Sequence, residues 1–208
     1  MILRAKHHFL LVPFFRLFSR ISIRKRFEKV EFVGNFNDKQ HPILLIVNHI
    51  SWWDGFWMIY FNEQRLKRKF HFMMLEEQLR KHWIFNFIGG FSVKKGSRSA
   101  VESLNYTSEL LQKAENLVLI FPQGKIQSSY LQQISFEKGI ERILQSSISN
   151  PIQVLFVANL VDYFSKPKPT LTVYYEEYQL NDFSHNKLEN SYNEFYQKCI
   201  ETQLKREE

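Results

Sequence analysis

The stretch "ILLIVNHISWWDGFW", Ile43 to Trp57, decides how the fold is read. Its first five residues are continuously apolar, the pattern of a strand buried on both faces. Ser51 and Asp54 have the spacing of a capping box, and apolar residues continue beyond them, so a helix is expected from about Trp52 to Asn62. A buried strand thus passes into a helix through a short turn, and that turn carries a histidine and an aspartate, His49 and Asp54. The stretch also holds three of the chain's four tryptophans, each of which has two roles open to it, core packing or contact with an apolar ligand or lipid surface.

Outward from this stretch the chain alternates. "VEFV" (Val30–Val33) reads as a strand and "GNFND" as a turn. "FHFMML" (Phe70–Leu75) reads as a strand, followed by a helix to about Asn86, and "FSV" (Phe91–Val93) as a short strand. Ser99 and Glu102 have capping-box spacing and start a helix to about Lys113. "LVLIF" (Leu117–Phe121) is a second buried strand. A helix over Phe136–Gln145, strands over Val154–Leu160 and Leu171–Tyr175, an exposed rigid connection at "KPKP", and an amphipathic helix over Asn190–Leu204 complete the pattern. There is no repeat, low-complexity tract or interdomain linker. Such alternation implies a single α/β domain with a central, largely parallel sheet flanked by helices. In open sheets of this kind ligands bind beyond the carboxyl ends of the strands. Three polar stretches fall at such ends: "NHISWWD", "KKGSR" and "PQGK". Parallel strands would bring all three to one edge.

Composition narrows the classes of partner. The chain has 208 residues, enough for one domain with a real core, and its 16% aromatic content, including 20 Phe, weighs against disorder. A net charge of +7 suits an anionic partner: a phospholipid surface, a phosphorylated ligand or nucleic acid. Nucleic acid is not expected, because no basic recognition helix and no RNA-binding aromatic strand signature is present. The single cysteine, Cys199, excludes an intrachain disulfide and a cysteine metal cluster, the histidines lack metal-ligand spacing, and no metal is expected. No apolar run approaches the roughly 18 to 20 residues of a spanning helix. "FLLVPFF" (Phe9–Phe15) runs directly into Arg16 and Arg20, unlike a secretion signal. From Pro13 onward Phe14, Leu17, Phe18 and Ile21 share one helical face and Arg16, Arg20 and Arg24 another. Two readings are open: a helix lying in a membrane interface, or a core-packing helix with a solvated basic face.

His49 and Asp54 each have an ordinary explanation, as a strand-end polar residue and a helix cap. On one continuous helix they would lie about 140° apart. His49 precedes the helix, however, so its imidazole can fold back onto a carboxylate in the first turn. A carboxylate bonded to one ring nitrogen fixes the tautomer and leaves the other nitrogen to accept a proton. This is the base and orienting acid of a triad without a serine; the attacking group would be a hydroxyl of the substrate.

"NHISWWD" resembles the H-x4-D signature of the glycerolipid and lysophospholipid acyltransferases, among them the 1-acylglycerol-3-phosphate acyltransferases. "GGFSVKK" (Gly89–Lys95) and "FPQG" (Phe121–Gly124) resemble that family's second and third blocks, in the same order and with similar spacing, over roughly Ile43 to Val161. The resemblance implies a glycerol-3-phosphate acyltransferase-like fold over residues 29–208; residues 1–28, by their own pattern, form the basic amphipathic segment expected at a membrane interface. It implies transfer of a fatty acyl group from acyl-CoA or acyl carrier protein, as co-substrate and with no bound cofactor, to a hydroxyl of a lipid acceptor such as a lysophospholipid. The place of action would be the anionic cytoplasmic face of a membrane, peripherally bound. His49 would be the general base and Asp54 its orienting acid, with substrate contacts at Asn48, Ser51, Lys94, Lys95, Arg98, Gln123, Gly124 and Lys125. Two positions differ from the family pattern: Lys95 stands where arginine is usual, and Gln123 where glutamate is. Lysine keeps the charge but not the bidentate fork, and an amide replaces a carboxylate. Both differences fall on the acceptor side and leave the acceptor open. The exchange at Gln123 also motivates a second reading, a catalytically weak lipid-binding relative, and the positive charge leaves a basic nucleic-acid-binding protein as the least favoured alternative.

Overall fold

In the computed structural model the described residues are 2–94, 96, 98–145, 150–179 and 184–207, without the side chains of Arg98 and His185. Among them seven strands form one sheet: β1 (Lys29–Asn35), β2 (Ile43–Val47), β3 (Lys69–Leu75), β4 (Gly90–Val93), β5 (Asn116–Ile120), β6 (Gln153–Asp162) and β7 (Thr170–Tyr178). Six α-helices surround it: α1 (Leu11–Arg26), α2 (Asp54–Phe61), α3 (Glu76–Lys81), α4 (Arg98–Leu110), α5 (Ile140–Gln145) and α6 (His185–Leu204). The strand order is β1-β7-β6-β2-β5-β3-β4. All neighbours are parallel except β6 and β7, which pair antiparallel across the turn containing "KPKP".

The five residues of β2 are fully buried, and so are all of β5, because both lie inside the sheet with helices on each side. Their side chains alternate between two cores. Leu44, Ile46, Val118 and Ile120 point toward α4, α5 and α6, where they meet Ile143, Tyr192 and Tyr196. Ile43, Leu45, Leu117 and Leu119 point the other way, into a cluster with Phe15 and Ile23 of α1 and Phe56 and Trp57 of α2. The sheet is therefore the middle of three layers.

The expected boundaries hold with instructive exceptions. Helix α2 is followed by a π-helical turn, Asn62–Leu66, which ends where Lys67 takes a left-handed conformation. The helix expected to run on to Asn86 is α3, broken at His82 and followed by a 3₁₀ turn, Trp83–Phe87. The helix expected from Phe136 starts only at Ile140, after a turn at Lys138 and Gly139 in which Gly139 has a φ of +113°; the Glu137 N–H before it is bonded to Pro122 O at 2.8 Å. Helix α6 begins five residues earlier than expected, at His185.

The N-terminal segment is sewn to the molecule. Leu3 and Ser92 exchange backbone bonds through the Ser92 amide and hydroxyl, and Lys6 and His8 pair with Asn86, Phe87 and Gly89, so the segment covers the β4 edge of the sheet. Helix α1 then presents two apolar faces. Phe15, Ser19 and Ile23 are buried against the body, and Phe15 and Phe18 lie against Phe56. Leu10, Phe14, Leu17 and Ile21 face outward, 62%, 56%, 53% and 44% exposed. Of the neighbouring cations Arg16, Arg24 and Lys25 are exposed, Arg20 is ion-paired with Glu63, and Arg26 lies 3.8 Å over the Trp53 ring. Phe18, grouped with the outward residues by sequence, turns half inward. No helix among the described residues is long and apolar enough to cross a membrane.

Candidate active site

Strands β6, β2, β5, β3 and β4 all run in one direction, so the ends of β2, β5 and β4 lie on one edge of the sheet. The turn after β2 places His49 against the turn after β5, and the His49 and Phe121 rings stack with centroids 4.0 Å apart and planes 11° from parallel.

His49 and Asp54 meet as the turn allows. Asp54 is the first residue of α2 and has no solvent exposure. Its Oδ2 accepts three hydrogen bonds: from His49 Nδ1 at 2.7 Å, from the Ile50 N–H at 2.7 Å and from the Ser51 N–H at 2.8 Å. The Ser51 bond is one half of the expected capping box. In place of the other half, Ser51 Oγ accepts from the Trp53 N–H. With an acceptor-only carboxylate on Nδ1, the Nδ1 atom carries the proton and Nε2 is left as the acceptor. Burial pushes the Asp54 carboxyl above its ordinary pKa, and the His49 ring and the two backbone N–H groups oppose that rise. Oδ1 is buried with no hydrogen-bond partner among the described residues. The His49 side chain is 19% exposed, so the ring is held from behind and reachable from one side.

His49 forms part of the wall of a cavity of about 580 Å³. Most of the wall is apolar, from Phe56 and Ile59 of α2, Phe72 and Met73 of β3, Leu104 of α4 and Ile143 of α5. Polar groups enter beside the chain turn at Gly124, Lys125, Glu137 and Lys138. A long cavity wall of hydrocarbon beside one histidine and two lysines suits an amphiphile: a chain to fill the apolar part and a charged or polar end near the cations.

The residues singled out by sequence fall into three groups. His49, Gly124 and Lys125 line the cavity, together with Trp52 and Gly96. Asn48, Ser51 and Gln123 do not. Asn48 is fully buried and exchanges two bonds with the Asn159 backbone, its Nδ2 donating to O at 3.0 Å and its Oδ1 accepting from N–H at 2.8 Å, which ties the end of β2 to β6. Gln123 is 3% exposed, and its Oε1 accepts the His49 backbone N–H. These side chains shape the turn from within. Lys94 is exposed just beyond β4 and is not among the cavity-lining residues. Lys95 lies outside the described residues, and Arg98 begins α4 with a side chain that is not described. Of the three tryptophans Trp57 is core, Trp53 packs under Arg26, and Trp52 reaches the cavity.

Sequence reasoning did not single out Phe121 as a ring partner, Gln127, Asn159 or Lys138. The first stands inside the quoted block "FPQG", but as a strand-end residue rather than as a partner of the histidine ring. Gln127 lies four residues after Gln123 but meets His49 only across the fold, and Asn159 and Lys138 reach the site only through the tertiary structure, for which a single sequence carries no spacing signal.

The family model Acyltransferase matches residues 26–158, more than half of the chain. None of the curated proteins matches the sequence. Among solved structures, the crystal structure of the 1-acyl-sn-glycerophosphate (LPA) acyltransferase PlsC from Thermotoga maritima is similar at a TM-score of 0.66 and 18% identity, over 95% of this chain and 81% of that one. At that identity the likeness establishes a shared fold, and the family match establishes the lineage: the chain belongs to the Acyltransferase family.

Proposed function

We propose that this protein transfers a fatty acyl group from a thioester, acyl-CoA or acyl carrier protein, to a hydroxyl of a lysophospholipid-type acceptor at the cytoplasmic face of a membrane. One observation carries the proposal: His49, held from behind by Asp54, stands in the wall of a large apolar cavity that Lys125 and Lys138 also line.

Nε2 of His49 takes the proton of the acceptor hydroxyl as its oxygen attacks the thioester carbonyl carbon. Asp54 fixes the ring and stabilises the imidazolium that forms. The tetrahedral adduct collapses with loss of the thiolate, which receives the proton back from Nε2, leaving an ester and a free thiol. The histidine ends as it began, with no acyl-enzyme and no need of a resident cofactor. The cavity supports both parts of this reading: its phenylalanine and methionine side chains suit hydrocarbon, and Lys125 and Lys138 suit an anionic headgroup or phosphate.

The outward stripe of α1 supports membrane attachment. Leu10, Phe14, Leu17 and Ile21 fall within a sector of about 60° at 100° per residue. Arg24 borders it on one side and Lys25 on the other, which is the arrangement of a helix lying flat in an anionic interface.

The test is product analysis. Purified protein is incubated with an acyl thioester and vesicles containing a lysophosphatidate and a zwitterionic lysophospholipid together. Mass spectrometry should show one or both acceptors gaining an acyl chain in step with thiol release. Thiol release without an acylated lipid, or neither product, would overturn the proposal.

A further inference from the structure

Resting on that reaction, we infer that Gln123 and Gln127 are positioning residues, which hold the reacting histidine by its backbone and touch no substrate. The last paired residues of the β2–β5 ladder are Ile46 and Ile120, so His49 lies beyond the reach of the sheet's hydrogen bonds. Three other bonds replace them. Gln123 Oε1 accepts from the His49 N–H. Gln123 Nε2 donates to Gln127 Oε1 at 2.8 Å. The Gln127 N–H donates to His49 O at 2.9 Å, closing the ring. The backbone N–H of His49 can only donate, so the oxygen of Gln123 must face it, and the amide NH₂ is then committed to Gln127. Gly124 makes the return possible: its φ of +59° reverses the chain so that residue 127 comes back over His49. Gln123 is 3% exposed and absent from the cavity wall, which removes it from contact with a ligand there. Held on its N–H and C=O by this clasp, and on its ring by Asp54 and Phe121, His49 has little freedom except at Nε2.

The clasp makes a charge-pattern test possible. Glutamate at 123 still offers an oxygen to His49, and the Gln127 amide can rotate to donate to it. Glutamate at 127 still accepts from Gln123. Glutamate at both positions leaves two acceptors and no donor. We expect Q123L to raise amide hydrogen exchange at His49 about tenfold, the effect of one lost hydrogen bond, and to lower kcat at least about tenfold with the acceptor KM within about twofold. Q123E should recover most of both losses. Q123E and Q127E singly should keep His49 protected, while the double variant loses protection by much more than the product of the two single effects. Unchanged exchange at His49 in Q123L, additive behaviour of the two glutamates, or a loss carried by acceptor KM with kcat intact would overturn the clasp and make Gln123 a substrate contact or a passive turn residue. Exchange is read without turnover. If the wild-type protein transfers no acyl group, the reaction fails while the exchange arm still decides the clasp, and the glutamate variants decide it if Q123L does not fold.

Discussion

Replacing Asp54 by asparagine separates structure from chemistry in the pair. All three groups on Oδ2 are donors, from His49, Ile50 and Ser51, so the amide oxygen of the variant must take that place. Its NH₂ then occupies the position of Oδ1, which is buried and makes no hydrogen bond among the described residues. An unsatisfied buried NH₂ costs about 1–3 kcal/mol. Against this, the variant no longer buries a charge at a residue with no exposure, whose carboxyl pKa burial already raises. The two effects oppose, and the net change in stability should stay within about 2 kcal/mol. The reaction has no such offset. A carboxylate facing Nδ1–H stabilises the imidazolium as the hydroxyl proton arrives, and a neutral amide does not. Loss of the orienting aspartate in the Ser-His-Asp enzymes costs about 10⁴-fold, and a range of about 10²- to 10⁴-fold is expected here, equivalent to about 3–5 kcal/mol in the barrier. Thermal unfolding and single-turnover acyl transfer on the same preparation give both quantities. A rate that falls only in proportion to the folded fraction, or a folded D54N with wild-type turnover, would refute the assignment of Asp54.

Other perturbations probe the surroundings. His71 is buried and kept neutral, its pKa pushed down to about 3 chiefly by burial, with Nε2 on Asn116 Oδ1 and Nδ1 without a hydrogen-bond partner among the described residues. The unfolded chain takes up that proton below about pH 6.5 and the native state does not, so stability falls with pH at about 1.4 kcal/mol per unit, or about 2 kcal/mol by pH 5; urea unfolding of His71→Gln should show a pH 7 to pH 5 loss smaller by that amount, and an identical loss would contradict it. Gly89 has φ +103°, and a Cβ there would come within 2.1 Å of Phe70 O, so Gly89→Ala should cost about 3 kcal/mol or more, and a variant that melts with wild type would show that the contact gives way. Phe14 and Leu17 are each about half exposed, worth about 1 kcal/mol apiece on insertion into lipid. Phe14→Ser with Leu17→Ser should weaken sedimentation with anionic vesicles about 30-fold, and unchanged binding would show that α1 does not meet the lipid.

The fold was legible where both physical signals agreed. β2 and β5 announce themselves as continuous apolar runs because they are covered on both faces, and the polar stretches that follow them were thereby placed on one edge. The pairing of His49 with Asp54 was legible too, since four intervening residues leave the histidine in the turn and the aspartate in the first helical turn. What the sequence did not show depends on contacts far along the chain. Residues 136–139 read as the start of a helix, yet the Glu137 N–H is bonded to Pro122, Lys138 and Gly139 form a turn, and Gly139 has a φ of +113°. The α1 stripe was divided by sequence into apolar and basic faces, but which apolar residues turn inward depends on where α2 lies, and Phe15 and Phe18 went to Phe56. Asn48 and Gln123 stand in the blocks that carry the family resemblance, and their neighbours suggested substrate contact. Their partners across the fold, the Asn159 backbone for Asn48 and the His49 N–H for Gln123, lie 111 and 74 residues away, where no local pattern connects them.

The most direct measurement is acyl transfer by His49→Ala. Asp54 keeps the Ile50 and Ser51 N–H groups in that variant, so the turn should remain closed and the fold intact. Wild-type protein with an acyl thioester and a lysophospholipid in anionic vesicles should form the diacyl product, and His49→Ala, equally folded and equally vesicle-bound, should form it about 10²- to 10⁴-fold more slowly. Wild-type turnover by a folded His49→Ala protein would contradict His49 as the base that takes the hydroxyl proton.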